Sequence, residues 1–348
     1  MHIHIVCYED IDAWILGKFA KKLRDELLGL GVQCDIGKTP DPLADINHHI
    51  SYFLYDGKKT SIDTIMITHV DCIQKVIQIK NQLNNAKMGI CMSKETTNQL
   101  IETGIPKEKL CYINPAQDGL IKPRKLILGL THKTHHDFRK NPYDILKICD
   151  AINPTDFAFK IMGSGWDKII EKMRTKGFSV EYYDHFDRDI YCNLMPSLDY
   201  YVYFGFDEGS MGYLDALAAG IKTIVTPQGY HLDTEHGITH PVKNTEDIVA
   251  VLQKIAIERK LITDSVSDWT WEKYAKNHLN IWQRLIDNKN FSIDLTGNTR
   301  ENKLAAFFIK TKRLLFYFLR PLTVTAFLWS ITPKFLKDYY KKNYFRSS

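Results

Sequence analysis

The feature that most constrains the fold is a regular alternation of short strand-like runs with longer helical patterns. After the first run, apolar residues recur at helical spacing, and this helix is expected to end at Gly29 and Gly31. Alternation at this spacing predicts parallel strands joined by helices, the pattern of a doubly wound sheet. The predicted strands of this half are 2–8, 49–55, 64–68, 88–92 and 110–113.

The same alternation restarts after Pro115 and Pro123, with predicted strands at 125–130, 157–162, 179–183, 200–204 and 223–226. A chain of 348 residues is long enough for two such domains. The sequence therefore predicts two Rossmann-like α/β domains, 1–117 and 118–290, facing each other across a cleft. A helix is expected at 269–286 and a polar break at 288–302, and a third segment, 291–348, contains most of this break and a basic tail.

The formal net charge of +5 is unevenly distributed, because residues 303–346 carry a net charge of +9 and the rest of the chain −4. A net-acidic body argues against nucleic acid as the main partner. The longest uncharged, apolar-leaning run has thirteen residues, 321–333, whereas a bilayer span needs about twenty. The seven cysteines form no C-x-x-C pair and the N-terminus lacks a secretory signal, so we expect a cytoplasmic protein.

The basic tail has the pattern of an amphipathic helix. At about 100° per residue, Lys303, Lys310 and Arg320 share one stripe, with Phe308 and Leu315 opposite. Aromatic residues among further cations follow up to residue 346. This composition predicts attachment of residues 303–346 to an anionic membrane surface. The alternatives are a helical hairpin packed on the body and a dimer contact.

Acidic and small residues concentrate at 207–220, in the segment DEGSMGYLDALAAG. It follows an aromatic strand, YYVYFGF, and precedes the strand KTIVT, so it lies at the carboxyl end of one strand and the start of a helix. Ligands bind at such positions in open α/β sheets. The N–H groups of Ser210, Met211 and Gly212 are expected to suit a diphosphate, and Gly209 and Gly212 to allow close backbone approach.

The acids of this segment point to two ligand groups. Asp207 and Asp215 are spaced as two helical turns, so both are expected to face the cleft, one toward a sugar and one toward a ribose. The alternative is an acid-capped helix whose small residues serve packing.

This segment resembles the E-x7-E region of retaining GT-B glycosyltransferases, the GT4-like group in particular. In that group, a Glu-Gly-Phe-Gly-like turn precedes Leu-Glu-Ala-x-Ala-x-Gly and a Pro-Val-Val-like strand, and this chain has LDALAAG followed by IKTIVT. The two glutamates of the family fall on Asp207 and Asp215, each shorter by one methylene. Because the glycines are shifted by one position, Glu208 competes with Asp207 as the first acid. Weaker similarities at 90–114, 159–166 and 269–286 extend the resemblance to residue 286, and the last of these looks like the helix that crosses back to the first domain.

The resemblance implies roles for individual residues. Asp207 would contact hydroxyls of the donor sugar and Asp215 the nucleotide ribose. The turn formed by Gly163, Ser164 and Gly165 would lie against the nucleotide.

Three further residues take roles from the resemblance. Lys140 would neutralise the diphosphate, with Arg139 substituting for the family's arginine, whose place is taken by His135. His69 stands where these enzymes place a histidine near the donor sugar, although a satisfied loop histidine fits the same position. The family's glycine-rich first-domain loop is replaced here by residues 9–14, EDIDAW, which changes the expected acceptor geometry.

No metal and no cofactor are expected. His48 and His49 are adjacent and cannot chelate from one helical face, and no acid or cysteine pattern supports a site at His132, His135 and His136. GT-B enzymes use cationic side chains and helix dipoles where other folds use Mg²⁺.

The resemblance, together with the basic tail, thus implies a hexosyltransferase-type glycosyltransferase at the cytoplasmic membrane face. Its donor would be a nucleoside-diphosphate sugar. Its acceptor would be a glycolipid, a lipid-linked saccharide or a lipopolysaccharide, and transfer would proceed with retention. The alternatives are a sugar-nucleotide epimerase or hydrolase on the same fold, and a non-catalytic GT-B partner subunit.

Overall fold

The computed structural model describes residues 1–134 and 142–287. They divide into two compact units, the first made of Met1–Asp118 and the chain from Asp268, the second of Gly119–Ser267. Arg139, Lys140, His135 and His136 lie outside the described residues, and so does the basic tail, 303–346.

The first unit is built on a six-stranded sheet in which the strand pairs are parallel. Its strands are β1 (His2–Val6), β2 (Gln33–Gly37), β3 (Ile46–His49), β4 (Ile62–Ile67), β5 (Met88–Cys91) and β6 (Leu110–Tyr112). Their order across the sheet is β2-β1-β3-β4-β5-β6. The unit's helices, numbered along the whole chain, are α1 (Ile15–Gly29), α2 (Ile73–Gln82), α3 (Lys94–Glu102) and α9 (Trp271–Ile286).

Apolar faces of α1 and α9 cover this sheet. α1 buries Phe19, Leu23 and Leu27, as its spacing predicts. α9 packs against α1, where the Trp271 ring is edge-on to the Phe19 ring with centroids 5.2 Å apart. The Trp271 indole N–H donates to the Asp118 carboxylate at 2.8 Å. α9 therefore belongs to the first unit by its packing, although the sequence division counted it with 118–290.

The second unit repeats the architecture with a second six-stranded parallel sheet. Its strands are β7 (Leu126–Leu130), β8 (Phe157–Met162), β9 (Ser179–Tyr183), β10 (Tyr200–Tyr203), β11 (Lys222–Val225) and β12 (His240–Pro241). The order is β12-β11-β10-β7-β8-β9. Its helices are α4 (Asp144–Ala151), α5 (Asp167–Thr175), α6 (Arg188–Leu194), α7 (Met211–Ala218) and α8 (Thr245–Asp264).

Both sheets are doubly wound and Rossmann-like, which confirms the predicted fold class. Each sheet reverses its strand order once, between β1 and β3 in the first unit and between β7 and β10 in the second. Side chains beyond the carboxyl ends of those two strand pairs are therefore the first to inspect for ligand binding. Among the described helices, none is both long and apolar enough to cross a bilayer.

One strand prediction was wrong and two strands were missed. The expected strand at 49–55 ends at His49, and Tyr52–Leu54 forms a 3₁₀ turn. Its true counterpart, β3, is fully buried although it reads Ile-Asn-His-His, because its polar side chains find hydrogen-bond partners such as Ser61 for Asn47 and Thr64 for His48. The edge strands β2 and β12 were missed, since they are short and partly exposed.

Candidate functional site

The candidate site lies at the switch point of the second sheet, beyond the carboxyl ends of β7 and β10. β7 is followed by segment 131–134, and β10 by segment 204–210, which leads into α7. The Tyr201 hydroxyl joins the two segments, because it accepts a hydrogen bond from Thr131 at 3.2 Å and lies 2.7 Å from Ser210 Oγ. The segment 207–220 therefore occupies the position in the fold that its sequence indicated.

Asp207 is held firmly in the loop after β10. Its Oδ1 accepts from the Tyr203 hydroxyl at 2.6 Å and from the Gly209 N–H at 3.0 Å, while its own N–H donates to Gln228 Oε1 at 3.3 Å. Burial and the adjacent carboxylate raise the pKa of Tyr203, so this hydroxyl stays protonated as a donor. These contacts fix the direction of a half-buried carboxyl group, whereas the neighbouring Glu208 is exposed.

Asp215 lies within α7 and is exposed. Its Oδ2 accepts from the Tyr191 hydroxyl at 2.6 Å. The pKa of Tyr191 is raised mainly by burial and secondly by this hydrogen bond. α7 begins only at Met211, so Asp207 stands in the preceding loop. The two acids are thus not placed by helical periodicity, as the sequence reading assumed, but by separate contacts to tyrosines.

The N–H group of Ser210 does not have the role expected of it. It donates to His231 Nε2 at 3.0 Å, so it is not a free donor for a diphosphate. Met211 and Gly212 open α7, where N–H groups have no acceptor within the helix. The expected anion-binding site at the start of α7 is therefore limited to the N–H groups of Met211 and Gly212.

His231 is fully buried and organises this loop, although no sequence pattern indicated it. Its Nδ1 lies 3.1 Å from the Thr226 carbonyl oxygen and must donate, because a carbonyl only accepts. Nε2 then carries no proton and can accept from Ser210. The ring also packs on Tyr213, with centroids 4.1 Å apart. The neutral imidazole is the form that holds the start of α7.

Acid should weaken this arrangement. Burial is the main cause that lowers the pKa of His231 below its usual 6.5. A group whose pKa is lower in the folded state contributes stability that is complete above the unfolded-state pKa and is lost as pH falls from there through the folded-state pKa. We expect the thermal unfolding temperature of the wild type to drop more steeply below about pH 6.5 than that of His231→Gln. Each unit by which the pKa of His231 differs between the folded and unfolded states corresponds to about 1.4 kcal/mol in the free energy of unfolding.

The control for this measurement is His236→Gln, which changes an exposed histidine of the same unit. Its unfolding temperature should follow that of the wild type between pH 7.5 and 5.5. Parallel pH profiles for wild type and His231→Gln would show that His231 is not the titrating group.

The glycines of the motif make room for protein atoms rather than for a ligand alone. A side chain at Gly212 would collide with Thr131 Oγ1 and the Tyr201 hydroxyl. One at Gly209 would lie 2.7 Å from the Tyr230 ring. Both glycines thus allow the loop and the start of α7 to pack closely on their neighbours, which is a different role from the expected approach of a ligand.

The turn after β8, Gly163–Ser164–Gly165, also reaches this edge of the sheet. The Gly163 N–H donates to Tyr183 at 2.8 Å, and the Ser164 carbonyl accepts from the Thr134 N–H at 3.0 Å. Gly163 has φ +143°, and a Cβ there would overlap the carbonyl group of His132. The structure therefore brings this predicted nucleotide-binding turn against the segment after β7.

The other predicted residues are placed elsewhere or lie outside the described residues. His69 follows β4 in the first unit and is exposed, with its Nδ1 3.1 Å from Thr68 Oγ1 and its carbonyl accepting from Tyr52. Arg139 and Lys140 lie outside the described residues. Within residues 1–134 and 142–287, no three His, Cys, Asp or Glu side chains are grouped closely enough to hold a metal ion.

Comparison with known proteins gives distant similarities only. The chain matches no protein-family model and no curated protein. Among solved structures it is similar to the lipopolysaccharide outer core galactosyltransferase WaaB, at 14% identity and a TM-score of 0.33 over 82% of this chain and 100% of that chain.

Two further structures are similar at the same level. Sucrose-phosphate synthase from Thermosynechococcus elongatus has 12% identity and a TM-score of 0.35 over 82% of this chain and 99% of that chain. HepE from Anabaena, in complex with UDP-glucose, has 12% identity and a TM-score of 0.30 over 83% and 98%. Similarity this low assigns neither a family nor a function to the chain.

Proposed function

We propose that the protein is a glycosyltransferase that takes a sugar from a nucleoside-diphosphate donor. The observation that carries this proposal is the placement of the E-x7-E-like segment. Its first acid, Asp207, is anchored at the switch point of a doubly wound sheet, directly before a helix whose first N–H groups lack helical partners. A fixed carboxylate beside an anion-binding helix end suits a substrate that joins a sugar to a diphosphate.

The proposed chemistry divides between these groups. As the bond from the sugar to the diphosphate breaks, positive charge develops on the sugar ring and negative charge on the leaving group. Asp207 would stabilise the first through the sugar hydroxyls, and the N–H groups of Met211 and Gly212 the second. Lys140 and Arg139, by resemblance, would add cationic charge at the diphosphate. We propose transfer with retention and without a metal.

The proposal is tested by turnover of donor sugars. Full-length protein is incubated with UDP-, GDP- and ADP-sugars, with and without lipid-linked saccharides, and both the released nucleoside diphosphate and the anomeric form of the product are measured. Transfer from one donor with retained configuration is expected. An epimerase would change the sugar without releasing the diphosphate, and binding without any turnover would indicate a non-catalytic subunit.

We further propose a membrane-linked acceptor and a location at the cytoplasmic membrane face, because residues 303–346 combine a net charge of +9 with aromatic side chains. The full-length protein should co-sediment with anionic vesicles, and a protein ending at residue 297 should not. Rising salt should weaken binding without abolishing it, since screening acts within about 10 Å at 0.1 M while buried aromatic groups do not depend on salt.

Neutral vesicles and circular dichroism of the shortened protein are the controls. Both proteins remaining in the supernatant with anionic vesicles would contradict attachment by the tail. Loss of the folded spectrum on truncation would favour a tail packed on the body instead.

A further inference from the structure

The loop after β11, residues 226–232, packs against the loop that carries Asp207, residues 204–210, and contains none of the predicted site residues. β11 is the neighbour of β10 in the second sheet, so both loops leave the same carboxyl edge of that sheet. Ligands bind at this edge in open α/β sheets. Side chains of the 226–232 loop are therefore placed to contact a substrate that Asp207 holds.

Hydrogen bonds and one close approach fix the two loops against each other. The Tyr230 N–H donates to the Glu208 carbonyl at 3.2 Å, and the Asp207 N–H donates to Gln228 Oε1 at 3.3 Å. Gly229 has φ +46°, and a Cβ there would overlap the Glu208 carbonyl group. Because only glycine permits this approach, the fold determines where the 226–232 loop lies relative to Asp207.

The Tyr230 ring reaches the carboxylate side of this contact. Its Cζ atom, which bears the hydroxyl, lies 2.7 Å from the position that a Cβ on Gly209 would take. Gly209 is the residue whose N–H donates to the Asp207 carboxylate. The missing side chain at Gly209 therefore gives the ring its place, and the hydroxyl of Tyr230 is close enough to feel the charge of Asp207.

The Tyr230 hydroxyl differs from the other donors near Asp207. The Tyr203 hydroxyl and the Gly209 N–H are already bonded to the carboxylate. In the part of the chain that the structure describes, the half-buried Tyr230 has no hydrogen-bond partner for its hydroxyl. The Gln228 amide nitrogen also lacks a partner among the described residues, but it is shielded from solvent. Tyr230 thus offers a side-chain donor that a substrate can reach.

The protonation state of Tyr230 restricts which substrate group it suits. Burial is the main cause that raises its pKa above the usual 10, and the charge of Asp207 raises it further, so the hydroxyl is a neutral donor at physiological pH. A carboxylate can only accept, whereas a sugar hydroxyl both donates and accepts. One sugar hydroxyl can therefore donate to Asp207 and accept from Tyr230. A diphosphate oxygen in the same place would be repelled by the carboxylate.

We propose that Tyr230 is a specificity-determining residue that donates a hydrogen bond to one hydroxyl of the donor sugar, the hydroxyl that itself donates to Asp207. This inference rests on the proposed function and adds a contact from outside the E-x7-E-like segment. All the protein groups involved belong to the second unit. A donor sugar without that hydroxyl leaves both side chains without their sugar partner, and the pair selects among donors in this way.

The decisive substitution is Tyr230→Phe, which removes one oxygen and keeps the ring that packs on Gly209. The matched control is Tyr200→Phe. Tyr200 is the first residue of β10, at the opposite edge of the same sheet, and its hydroxyl likewise has no hydrogen-bond partner among the described residues. Both variants of the full-length protein should unfold within a few degrees of the wild type, since neither loses a hydrogen bond seen in the described residues.

Binding is measured by isothermal titration of the best-bound UDP-, GDP- or ADP-sugar and of its free nucleoside diphosphate. Tyr230→Phe should raise the Kd of the donor sugar about 3- to 10-fold, the effect of one neutral hydrogen bond. The Kd of the free nucleoside diphosphate should not change, because this ligand has no sugar to contact Tyr230. Tyr200→Phe should change neither Kd.

Monodeoxy forms of the same donor sugar separate a direct contact from a structural role. At one position, removal of the hydroxyl should weaken binding to the wild type more than binding to Tyr230→Phe, because the variant has already lost the contact. The difference should equal the factor that Tyr230→Phe costs with the intact sugar. At the other positions the two losses should be independent. A role of Tyr230 in folding alone does not single out one sugar hydroxyl.

The outcomes distinguish this inference from the function on which it rests. An unchanged donor Kd in Tyr230→Phe, or independent losses at every sugar position, would overturn the contact and leave the glycosyltransferase intact. Equal weakening of the donor sugar and of the free nucleoside diphosphate would also overturn it, because the phenol would then act on the diphosphate. A wild type that binds none of the donors would refute both.

Discussion

Replacing Asp207 with alanine should lower kcat for sugar transfer about 10²- to 10³-fold, with nucleotide affinity changed less than about threefold. A carboxylate that contacts the sugar stabilises the positive charge that grows only as the transition state forms. Tyr203 and Gly209 hold this carboxylate in one direction, so no reorganisation is needed at that moment. Steady-state kinetics with the best donor, together with titration of the free nucleoside diphosphate, measures both effects.

Two variants control this experiment. Asp207→Asn keeps an oxygen that can accept from Tyr203 and Gly209, so a large loss of kcat in Asn as well as Ala would assign the effect to charge rather than to a disturbed loop. Glu208→Ala, which changes the exposed neighbouring acid, should retain most of the activity. If Glu208→Ala alone abolished turnover, the motif alignment would be wrong by one residue.

Replacing Asp215 with alanine should instead weaken nucleotide binding. Ribose contacts are the same in the bound donor and in the transition state, so their loss raises Kd and leaves kcat nearly unchanged. A hydrogen bond to a charged group contributes about 1.5–3 kcal/mol, which predicts a Kd about 10- to 100-fold higher. Isothermal titration of the nucleoside diphosphate into wild type and Asp215→Ala provides the measurement.

The control for Asp215 is Tyr191→Phe. It removes the hydroxyl that donates to Asp215 at 2.6 Å but leaves the carboxylate in place, so its Kd should rise only a fewfold. An unchanged Kd in Asp215→Ala would exclude the ribose role. Equal and negligible effects of the Asp207 and Asp215 substitutions on transfer would favour a non-catalytic protein.

The fold could be predicted from the sequence where burial follows apolar patterning. The helical spacing of Phe19, Leu23 and Leu27 gave α1, and β-like runs gave most strands of both sheets. Prediction failed at β3, where the buried side chains of Asn47, His48 and His49 each bond to a side chain at least 14 residues away. Those partners are distant in sequence, so no local pattern reveals them.

The location of the candidate site was predictable for the same kind of reason. A strand followed by acids, glycines and a helix places those residues at the carboxyl edge of a parallel sheet whatever the details. The assignment of individual atoms was not predictable, as Ser210 shows, because its N–H is taken by His231 from the loop after β11. The bonds from Tyr203 to Asp207 and from Tyr191 to Asp215 could not be predicted either. In the sequence these tyrosines are only aromatic residues of a strand and a helix.

The most direct test of the central claim, that the edge of the second sheet binds a nucleoside-diphosphate sugar, is isothermal titration of the full-length protein with UDP-, GDP- and ADP-sugars. We expect one base to bind with a micromolar Kd, corresponding to about −8 kcal/mol. Asp215→Ala should weaken that binding at least about tenfold. Absence of binding by every donor, or equal binding by wild type and Asp215→Ala, would contradict the account.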